Sequence, residues 1–261
     1  MKITILTLFP EMFESFLNNS IIKRAQAKNL VTFELVNIRD YTKHKNHRVD
    51  DYPTGGGAGL IMQCQPVLDA LESVRSNSSK VLLTSPRGPR FSQKKALELS
   101  KEEHLIFICG HYEGIDERVN KYVDELVSIG DFILTGGEVP VMAISDSIVR
   151  LIKGVITEES IEDESFNNGL LEYPQYTFPY DYKGDTIPDI LFSGNHKAIE
   201  KYRKKQSLVL TRIHRPDLFS KYELTKQDKK LLEEYDSNIT PKWETDALEK
   251  GHKFIKSKGD K

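Results

Sequence analysis

The sequence predicts an α/β fold with a mostly parallel sheet in the N-terminal part of the chain and helices beyond it. Strand-like apolar runs alternate with helical patterns over the first 150 residues, and the pattern changes after Leu151. Alternation of this kind is typical of parallel sheets whose strands are connected by helices. The predicted strands are residues 3–9, 31–38, 80–85, 105–109 and 125–129.

Helical periodicity separates these strands at residues 11–28, 66–73 and 92–100. Ser92 is well placed to cap the third of these helices, because its hydroxyl can accept a hydrogen bond from the backbone of the first turn. A further helix is predicted around and beyond Pro140. Its apolar positions recur at helical spacing, at Val141, Ile144, Ile148, Val149 and Ile152.

The second part of the chain begins with a stretch that has no periodicity. Residues 154–193 mix acids, glycine, proline and aromatic side chains, and the acidic residues 157–166 are predicted to be a linker. Helices resume near Asn195 and at residues 225–228, where the sequence Thr-Lys-Gln-Asp matches a capping box. The basic final residues, 251–261, are expected to fray.

The composition is that of a soluble globular protein, with 38% hydrophobic and 29% charged residues in a chain of 261. No apolar run approaches the ~20 residues needed to span a bilayer. Only Lys2 precedes the apolar residues 3–9, and no small-residue cleavage site follows, so a strand is predicted and not a signal peptide. The expected compartment is therefore the cytoplasm. A metal cluster is disfavoured, because the two cysteines, Cys64 and Cys109, have no histidine near them at the spacing of metal ligands.

Charge is distributed unevenly along the chain. Residues 194–261 carry 17 Lys and Arg against 11 Asp and Glu, whereas residues 1–193 carry 20 against 28. The C-terminal part is therefore the candidate for contact with a polyanion, although most basic runs of this kind are solvated helix faces and the run alone does not indicate nucleic-acid binding. The lysines predicted to share one side of the helix after Asn195 are Lys197, Lys201, Lys204 and Lys205.

Three of the predicted strands end in unusual turns, at residues 84–89, 109–114 and 128–140. In an open α/β sheet, the loops at the carboxyl ends of neighbouring strands line one crevice. Gly110 and Gly130 would let the backbone approach a ligand closely, because glycine has no side chain. The three turns together therefore predict one ligand pocket.

The glycine-rich stretch 54–62 matches neither common nucleotide fingerprint. It lacks the Lys-Ser/Thr pair of a P-loop and the third glycine of a dinucleotide turn, which disfavours a polyphosphate ligand. An adenosine compound held by backbone hydrogen bonds remains open. With the preceding Arg48, Asp50 and Asp51, this stretch is equally consistent with a flexible surface loop and with a contact to a ribose or a base edge.

Five longer motifs lie in order along the chain. They are residues 49–57 (VDDYPTGGG), 109–118 (CGHYEGIDER), 128–140 (SIGDFILTGGEVP), 165–177 (SFNNGLLEYPQYT) and 215–218 (RPDL). Together they resemble the bacterial tRNA (guanine-N1)-methyltransferases that modify guanosine 37. The resemblance extends from Met1 to about Tyr235. Motifs of this length and number are highly specific.

The resemblance implies a SPOUT-class fold, in which an α/β domain ends in a trefoil knot and a small helical domain follows. General topology rules disfavour a knot, so this expectation comes from the resemblance alone. The implied division is a methyltransferase domain at 1–156, an acidic interdomain linker at 157–176 and a helical, tRNA-binding domain with a basic tail at 177–261. A homodimer with active sites at its interface is implied, with tRNA as partner.

The cofactor implied by the resemblance is S-adenosylmethionine, held by the three turns. Glu113 would lie near its positive groups, where a carboxylate is favoured electrostatically. No residue pattern assigns a divalent ion such as magnesium. By position in the motifs, the implied cofactor-binding residues are Thr84, Pro86, Gly110, Tyr112, Glu113, Ile129, Gly130, Asp131, Phe132, Ile133, Leu134, Gly136, Gly137 and Pro140.

The implied chemistry needs a base, because N1 of guanine is protonated at neutral pH. The resemblance assigns Arg150 to stabilise the negative charge that develops toward O6, and an acid in the linker to take the proton. Family members commonly have Asp directly before Ser-Phe, whereas this chain has Asp163 and then Glu164 before Ser165 and Phe166. Glu164 is preferred because Ser165 and Phe166 fix the register, and Asp163 is the alternative.

Two further departures from the family pattern concern tRNA docking. Phe178 stands where the family often has Arg, and Tyr202 replaces a frequent Trp. Two alternative functions remain open: a SPOUT methyltransferase that acts on another RNA, and a non-catalytic RNA-binding protein that retains the fold, which the altered acid would suggest. The first differs in its methylated product, and the second would not bind S-adenosylmethionine.

Overall fold

The computed structural model describes residues 1–157, 165–166 and 168–259, the last three by their backbone alone. The chain forms two compact units, Met1–Ile161 and Glu162–Lys261. Each unit has hydrophobic clusters of its own.

The first unit is built on a five-stranded parallel sheet in the order β2-β1-β6-β5-β7. The strands β3 and β4 form a separate antiparallel pair. Each predicted strand is confirmed, and its ends are within two residues of the prediction. The strands are β1 (Lys2–Thr7), β2 (Thr32–Asn37), β3 (Asp50–Asp51), β4 (Ile61–Met62), β5 (Ser79–Thr84), β6 (His104–Ile108) and β7 (Glu125–Val127).

Helices cover both faces of this sheet. They are α1 (Glu14–Leu17), α2 (Ser20–Ala27), α3 (Cys64–Val74), α4 (Gln93–Leu99) and α5 (Glu138–Val149). Leu105 and Phe107 of β6 pack with α2, α4 and α5, whereas Ile106 and Ile108 pack with α3. Both faces of the sheet are therefore buried, which explains why the strands are nearly continuous apolar runs.

The predicted helix at residues 11–28 is wrong as a single element. The structure has a 3-10 helix at Pro10–Phe13, then α1 and α2, with a break between the two α-helices. Asn18 and Asn19 each donate a side-chain hydrogen bond to the carbonyl four residues earlier, both at 2.9 Å. These bonds end α1 locally, because asparagine side chains compete for backbone groups. Ser20, with φ +51°, then redirects the chain.

Ion pairs hold the edge of the sheet from which the third turn departs. Lys80 of β5 lies 2.7 Å from the carboxylate of Glu125 in β7, and Lys95 of α4 pairs with the same carboxylate. The hydrogen bond with Glu125 raises the pKa of Lys80. Ser92 caps α4 as predicted, accepting a hydrogen bond from the backbone N–H of Lys95. The start of β7 is thus tied to both β5 and α4.

The second unit is mostly helical in its later part. Its elements are β8 (Asp181–Tyr182), β9 (Asp185–Thr186), a 3-10 helix at Asp189–Phe192, α6 (His196–His214), α7 (Pro216–Phe219), α8 (Lys226–Asp236) and α9 (Lys242–Gly259). Asn195 caps α6, and Thr225 and Asp228 form the predicted reciprocal capping box. Leu208, Val209 and Leu231 lie at the centre of the larger hydrophobic cluster.

Two expectations for this unit are wrong. Residues 251–259 do not fray but continue α9, because Gly251 is buried and packs so closely on the carbonyl of Asp189 that a Cβ would overlap it. Lys205 does not face solvent with the other lysines of α6. It is 6% exposed and paired with Glu244 of α9, so it holds two helices together.

Among the residues that the structure describes, no helix has the length and apolar character needed to cross a membrane. The described His, Cys, Asp and Glu side chains form no group of three that could hold a metal ion. Both cysteines are free thiols, and burial raises the pKa of the Cys109 thiol.

Candidate functional site

A cavity of about 620 Å³ lies at the carboxyl ends of β5, β6 and β7. Its volume falls within the range of roughly 300–1,000 Å³ that is common for small-molecule sites. Residues from all three predicted turns line it, so the structure brings these turns together. The predicted cofactor residues in its wall are Thr84, Pro86, Gly110, Tyr112, Glu113, Ile129, Gly130, Phe132, Ile133, Leu134, Gly136, Gly137 and Pro140.

Asp131 is the predicted cofactor residue that does not line the cavity. Its carboxylate lies 3.2 Å from the guanidinium of Arg90, and its side chain is 77% exposed. In the motif, Asp131 stands between residues that do line the cavity, but its side chain is held on the outside by Arg90.

Gly137 joins the third turn to the other two. Its N–H donates a hydrogen bond to the carbonyl of Gly110 at 2.8 Å. A Cβ at this position would overlap the hydroxyl of Thr84 and would lie 2.8 Å from both the Cα of Cys109 and the backbone nitrogen of Gly110. Only glycine allows this approach, because every other residue would push the third turn away from the ends of β5 and β6.

The second turn has a strained backbone. Tyr112 has φ +58°, a left-handed conformation that is uncommon for a residue with a side chain. Its hydroxyl lies 3.4 Å from the guanidinium of Arg39, which donates a hydrogen bond to it. His111 pairs with Gly136 as an isolated antiparallel bridge. The second and third turns are therefore linked at Gly110 and again at His111.

The glycine-rich stretch 54–59 lies beside the second turn but supplies none of the cavity lining. The backbone N–H of Glu113 donates to the carbonyl of Leu60 at 3.0 Å, and Met62 donates to Gly114 at 2.9 Å. A Cβ at Gly59 would overlap the side chain of Glu113. Glu113 therefore connects the cavity wall to this stretch.

The first turn runs past the end of β7 on its outer side. Ser128 donates a backbone hydrogen bond to Pro89 at 3.0 Å, and Phe91 donates one to Ser128 at 2.7 Å. A Cβ at Gly88 would lie 2.6 Å from the backbone nitrogen of Val127. The segment 88–91 therefore lies alongside the strand that leads into the third turn.

The described structure does not test whether the predicted catalytic residues come together. Arg150 caps the C-terminus of α5, where its N–H donates to the carbonyl of Asp146 at 3.1 Å, and it does not line the cavity. Asp163 and Glu164 lie outside the described residues.

Sequence reasoning missed several groups at this site, among them Arg87, His111 and Asn120 in the cavity wall and the buried Glu138 behind it. Each stands in or next to a motif that the sequence analysis singled out. Arg87 lies 2.8 Å from Glu117, whose carboxyl pKa this hydrogen bond lowers. A search for polar residues adjacent to the glycines would have identified His111 and Glu138, because both flank the glycines of the second and third turns.

Comparison with known proteins gives a consistent result. A family model described as tRNA (Guanine-1)-methyltransferase TrmD matches residues 1–221. The protein named tRNA (guanine-N(1)-)-methyltransferase in Clostridium botulinum (strain Eklund 17B / Type B) is 59% identical over 234 residues, which cover 89% of this chain and 98% of that protein.

Two further relatives carry the same printed name. The protein of Clostridium botulinum (strain Langeland / NCTC 10281 / Type F) is 54% identical over 241 residues, covering 92% of this chain and all of that protein. The protein of Clostridium perfringens (strain ATCC 13124) is 56% identical over 234 residues, covering 89% of this chain and 99% of that protein. With most of its length matched by the family model and by such relatives, the chain belongs to the tRNA (guanine-1)-methyltransferase family.

Proposed function

We propose that this chain transfers a methyl group from S-adenosylmethionine to N1 of guanosine 37 in tRNA, next to the anticodon. The observation that carries the proposal is the convergence of three strand-end turns on one cavity in a chain of this family. The names of the relatives support a tRNA guanine as the substrate. A tRNA substrate also places the reaction in the cytoplasm.

The cavity fits S-adenosylmethionine in volume and in the character of its wall. A Cβ at Gly136 would lie 2.5 Å from Nδ1 of His111, and one at Gly137 would overlap Thr84, so the third turn must present bare backbone. Bare N–H and C=O groups suit the amino and ribose groups of an adenosine compound. When bound, S-adenosylmethionine supplies an electrophilic methyl group on a sulfonium. Glu113, in the cavity wall, favours positive charge there.

The residues of the chain must also orient the guanine and remove its proton. Guanine N1 becomes nucleophilic only when its proton is taken, and negative charge then develops toward O6. We assign Glu164 as the base, with Asp163 as the alternative. Arg150 is assigned as the donor to O6, since a fixed guanidinium suits a developing oxyanion. Both roles rest on the family pattern, because neither acid lies among the described residues.

A trefoil knot is the proposed topology of the cofactor site. The segment 88–91 lies along the outer side of β7, yet the chain leaving β7 returns to Gly137, which packs on the ends of β5 and β6. The returning chain must therefore cross the segment that follows β5. This crossing supports a threaded chain. The glycines of the third turn have no side chains, so this part of the chain is narrow enough to pass there.

The helices of the second unit are proposed as the tRNA-binding part. Their region carries a positive balance of charge, and Lys197 and Arg203 of α6 are exposed. Arg203 also lies over the ring of Tyr173, with its guanidinium carbon 4.6 Å from the ring centroid. Basic side chains of this kind neutralise phosphates and position an RNA.

The proposed activity predicts a specific product. Purified chain with S-adenosylmethionine and a tRNA transcript that has guanosine 37 should yield 1-methylguanosine at that position, as mapped by mass spectrometry of nuclease fragments. The matched transcript with adenosine 37 should remain unmethylated, because adenine has an amino group in place of O6 and no N1–H, so it cannot form the contacts proposed for Arg150 and the base. A product only in ribosomal RNA, or at another tRNA position, would contradict the proposed substrate.

Gly110→Ala should separate cofactor binding from folding. A methyl group there would lie 3.7 Å from Ile115 and from the carbonyl of Thr84, which are ordinary contacts. The free energy of unfolding should therefore change by less than about 0.5 kcal/mol. Because the methyl group occupies the cavity wall, affinity for S-adenosylmethionine should fall at least about tenfold. Calorimetric titration measures this loss. The control Ser78→Ala, in an exposed loop away from the cavity, should bind S-adenosylmethionine normally. If Gly110→Ala also binds it with unchanged affinity, the cofactor does not bind in this cavity.

The assignment of the base predicts different effects for the two acids. Glu164→Gln should slow the chemical step by about 10²–10⁴-fold, since it removes a general base. Asp163→Asn should have a much smaller effect. Single-turnover methylation with saturating tRNA isolates this step. The opposite order would assign the role to Asp163, and two unaffected variants would show that neither acid is the base.

A homodimer is proposed because exposed apolar side chains gather at the third turn. Phe132, Ile133, Leu134 and Val139 are exposed, Ile133 by 80%, and patches of this kind mark interaction sites. Val139→Glu, which places a charge on the first turn of α5, should convert a dimer into a monomer in sedimentation experiments. Tyr122→Glu, similarly exposed but associated with the opposite face of the sheet, should remain dimeric. A wild-type monomer would contradict the proposal.

A further inference from the structure

Glu138 is a buried carboxylate that the proposed reaction does not use. It is the first residue of α5, directly after the glycine pair of the third turn, and it is 1% exposed. Burying a carboxylate is costly unless hydrogen bonds or charges compensate. The N-terminus of α5 supplies part of this compensation, because the helix dipole favours negative charge there. The remaining partners of Glu138 come from two other strand ends.

Thr7, at the carboxyl end of β1, fixes one oxygen of this carboxylate. Its hydroxyl donates a hydrogen bond to Oε1 of Glu138 at 2.8 Å and accepts one from the backbone N–H of Phe9 at 2.9 Å. The hydroxyl proton is thereby directed at Glu138, and the carboxylate cannot rotate without losing that bond. Glu138 is therefore anchored to the centre of the sheet.

The other carboxylate oxygen faces His111 of the second turn. Oε2 of Glu138 lies 3.7 Å from Nδ1 of His111, which is beyond hydrogen-bonding distance. Nδ1 is buried and has no hydrogen-bond partner among the described residues. A buried, unpaired ring nitrogen is unfavourable, so a movement of less than about 1 Å that brings it to the carboxylate would be favoured.

The backbone at Gly136 is what allows these two side chains to approach. A Cβ there would lie 2.5 Å from Nδ1 of His111 and would overlap Oε2 of Glu138. The ring of His111 is confined on its other sides by Phe9 and Tyr112, whose ring centroids lie at 4.8 and 5.3 Å. His111 also lines the cavity. His111 therefore adjoins both the cavity and the carboxylate of Glu138.

We propose that Glu138 is a positioning residue of the cofactor site. When S-adenosylmethionine fills the cavity, Oε2 of Glu138 accepts a hydrogen bond from Nδ1–H of His111, and this bond holds the second turn against the third. Thr7 keeps the carboxylate in the orientation that the bond requires. The inference rests on the proposed function for the identity of the ligand, and it assigns a role to three side chains that do not react.

The direct test is NMR of the chain with ¹⁵N-labelled histidine, recorded with and without S-adenosylmethionine. The Nδ1 resonance of His111, assigned by its loss in His111→Gln, should move to the position of a hydrogen-bonded N–H when the ligand is added. In Glu138→Gln this movement should disappear, and calorimetry should show binding weakened by about ten- to hundredfold, because a charged acceptor is lost.

Two variants guard against a simple loss of folding. Thr7→Val removes the anchor of Glu138 without touching the carboxylate and should also weaken binding, whereas Thr7→Ser keeps the hydroxyl and should restore it. Glu244→Gln alters a different buried carboxylate, the partner of Lys205, and should leave affinity for S-adenosylmethionine unchanged. If Glu138 had a merely structural role, the ligand-induced movement of the His111 resonance would persist in Glu138→Gln.

The outcomes distinguish this inference from the proposed function. If the unaltered chain does not bind S-adenosylmethionine, the proposed function fails and the inference fails with it. If the unaltered chain binds while its His111 resonance stays fixed, or if Glu138→Gln binds equally well, the inference alone is overturned.

Discussion

The close packing of Gly137 against the ends of two strands is the constraint on which the rest of the site depends. Its hydrogen bond to Gly110 and its contacts with Thr84 and Cys109 bring the third turn across the sheet edge. Because α5 begins at the next residue, the same contact places Glu138 beneath the cavity. One backbone position without a side chain therefore sets the width of the cavity, the start of α5 and the burial of a carboxylate.

The sheet was predictable because its information is local to each strand. Residues buried on both faces, such as Leu105 to Ile108 of β6, form continuous apolar runs that need no knowledge of their neighbours. The elements that were missed depend on contacts between distant residues. Residues 251–259 resemble a frayed tail by composition, but Gly251 and His252 contact Asp189 and Phe254 stacks on Phe192, and these contacts stabilise the helix. Lys205 likewise looks solvated until Glu244 is placed beside it.

The site was predictable in outline for a different reason. Glycines after strands such as Gly110 and Gly137 mark backbone that must come close to something, and parallel strands bring their ends to one edge. The sequence could not say which flanking polar groups point inward. The side chain of Asp131 pairs with Arg90 outside the cavity, whereas His111, in the cavity wall, faces the buried Glu138. These directions depend on side-chain partners from other turns, which spacing along the chain does not encode.

The central claim is that the three turns form one ligand site. The most direct measurement is hydrogen–deuterium exchange by mass spectrometry, with and without S-adenosylmethionine. The account predicts that peptides from all three turns, residues 84–89, 109–114 and 128–140, become protected together at the same ligand concentration. Protection of only one turn, or protection confined to residues 54–59, would contradict it, because the cavity would then not be where the ligand binds.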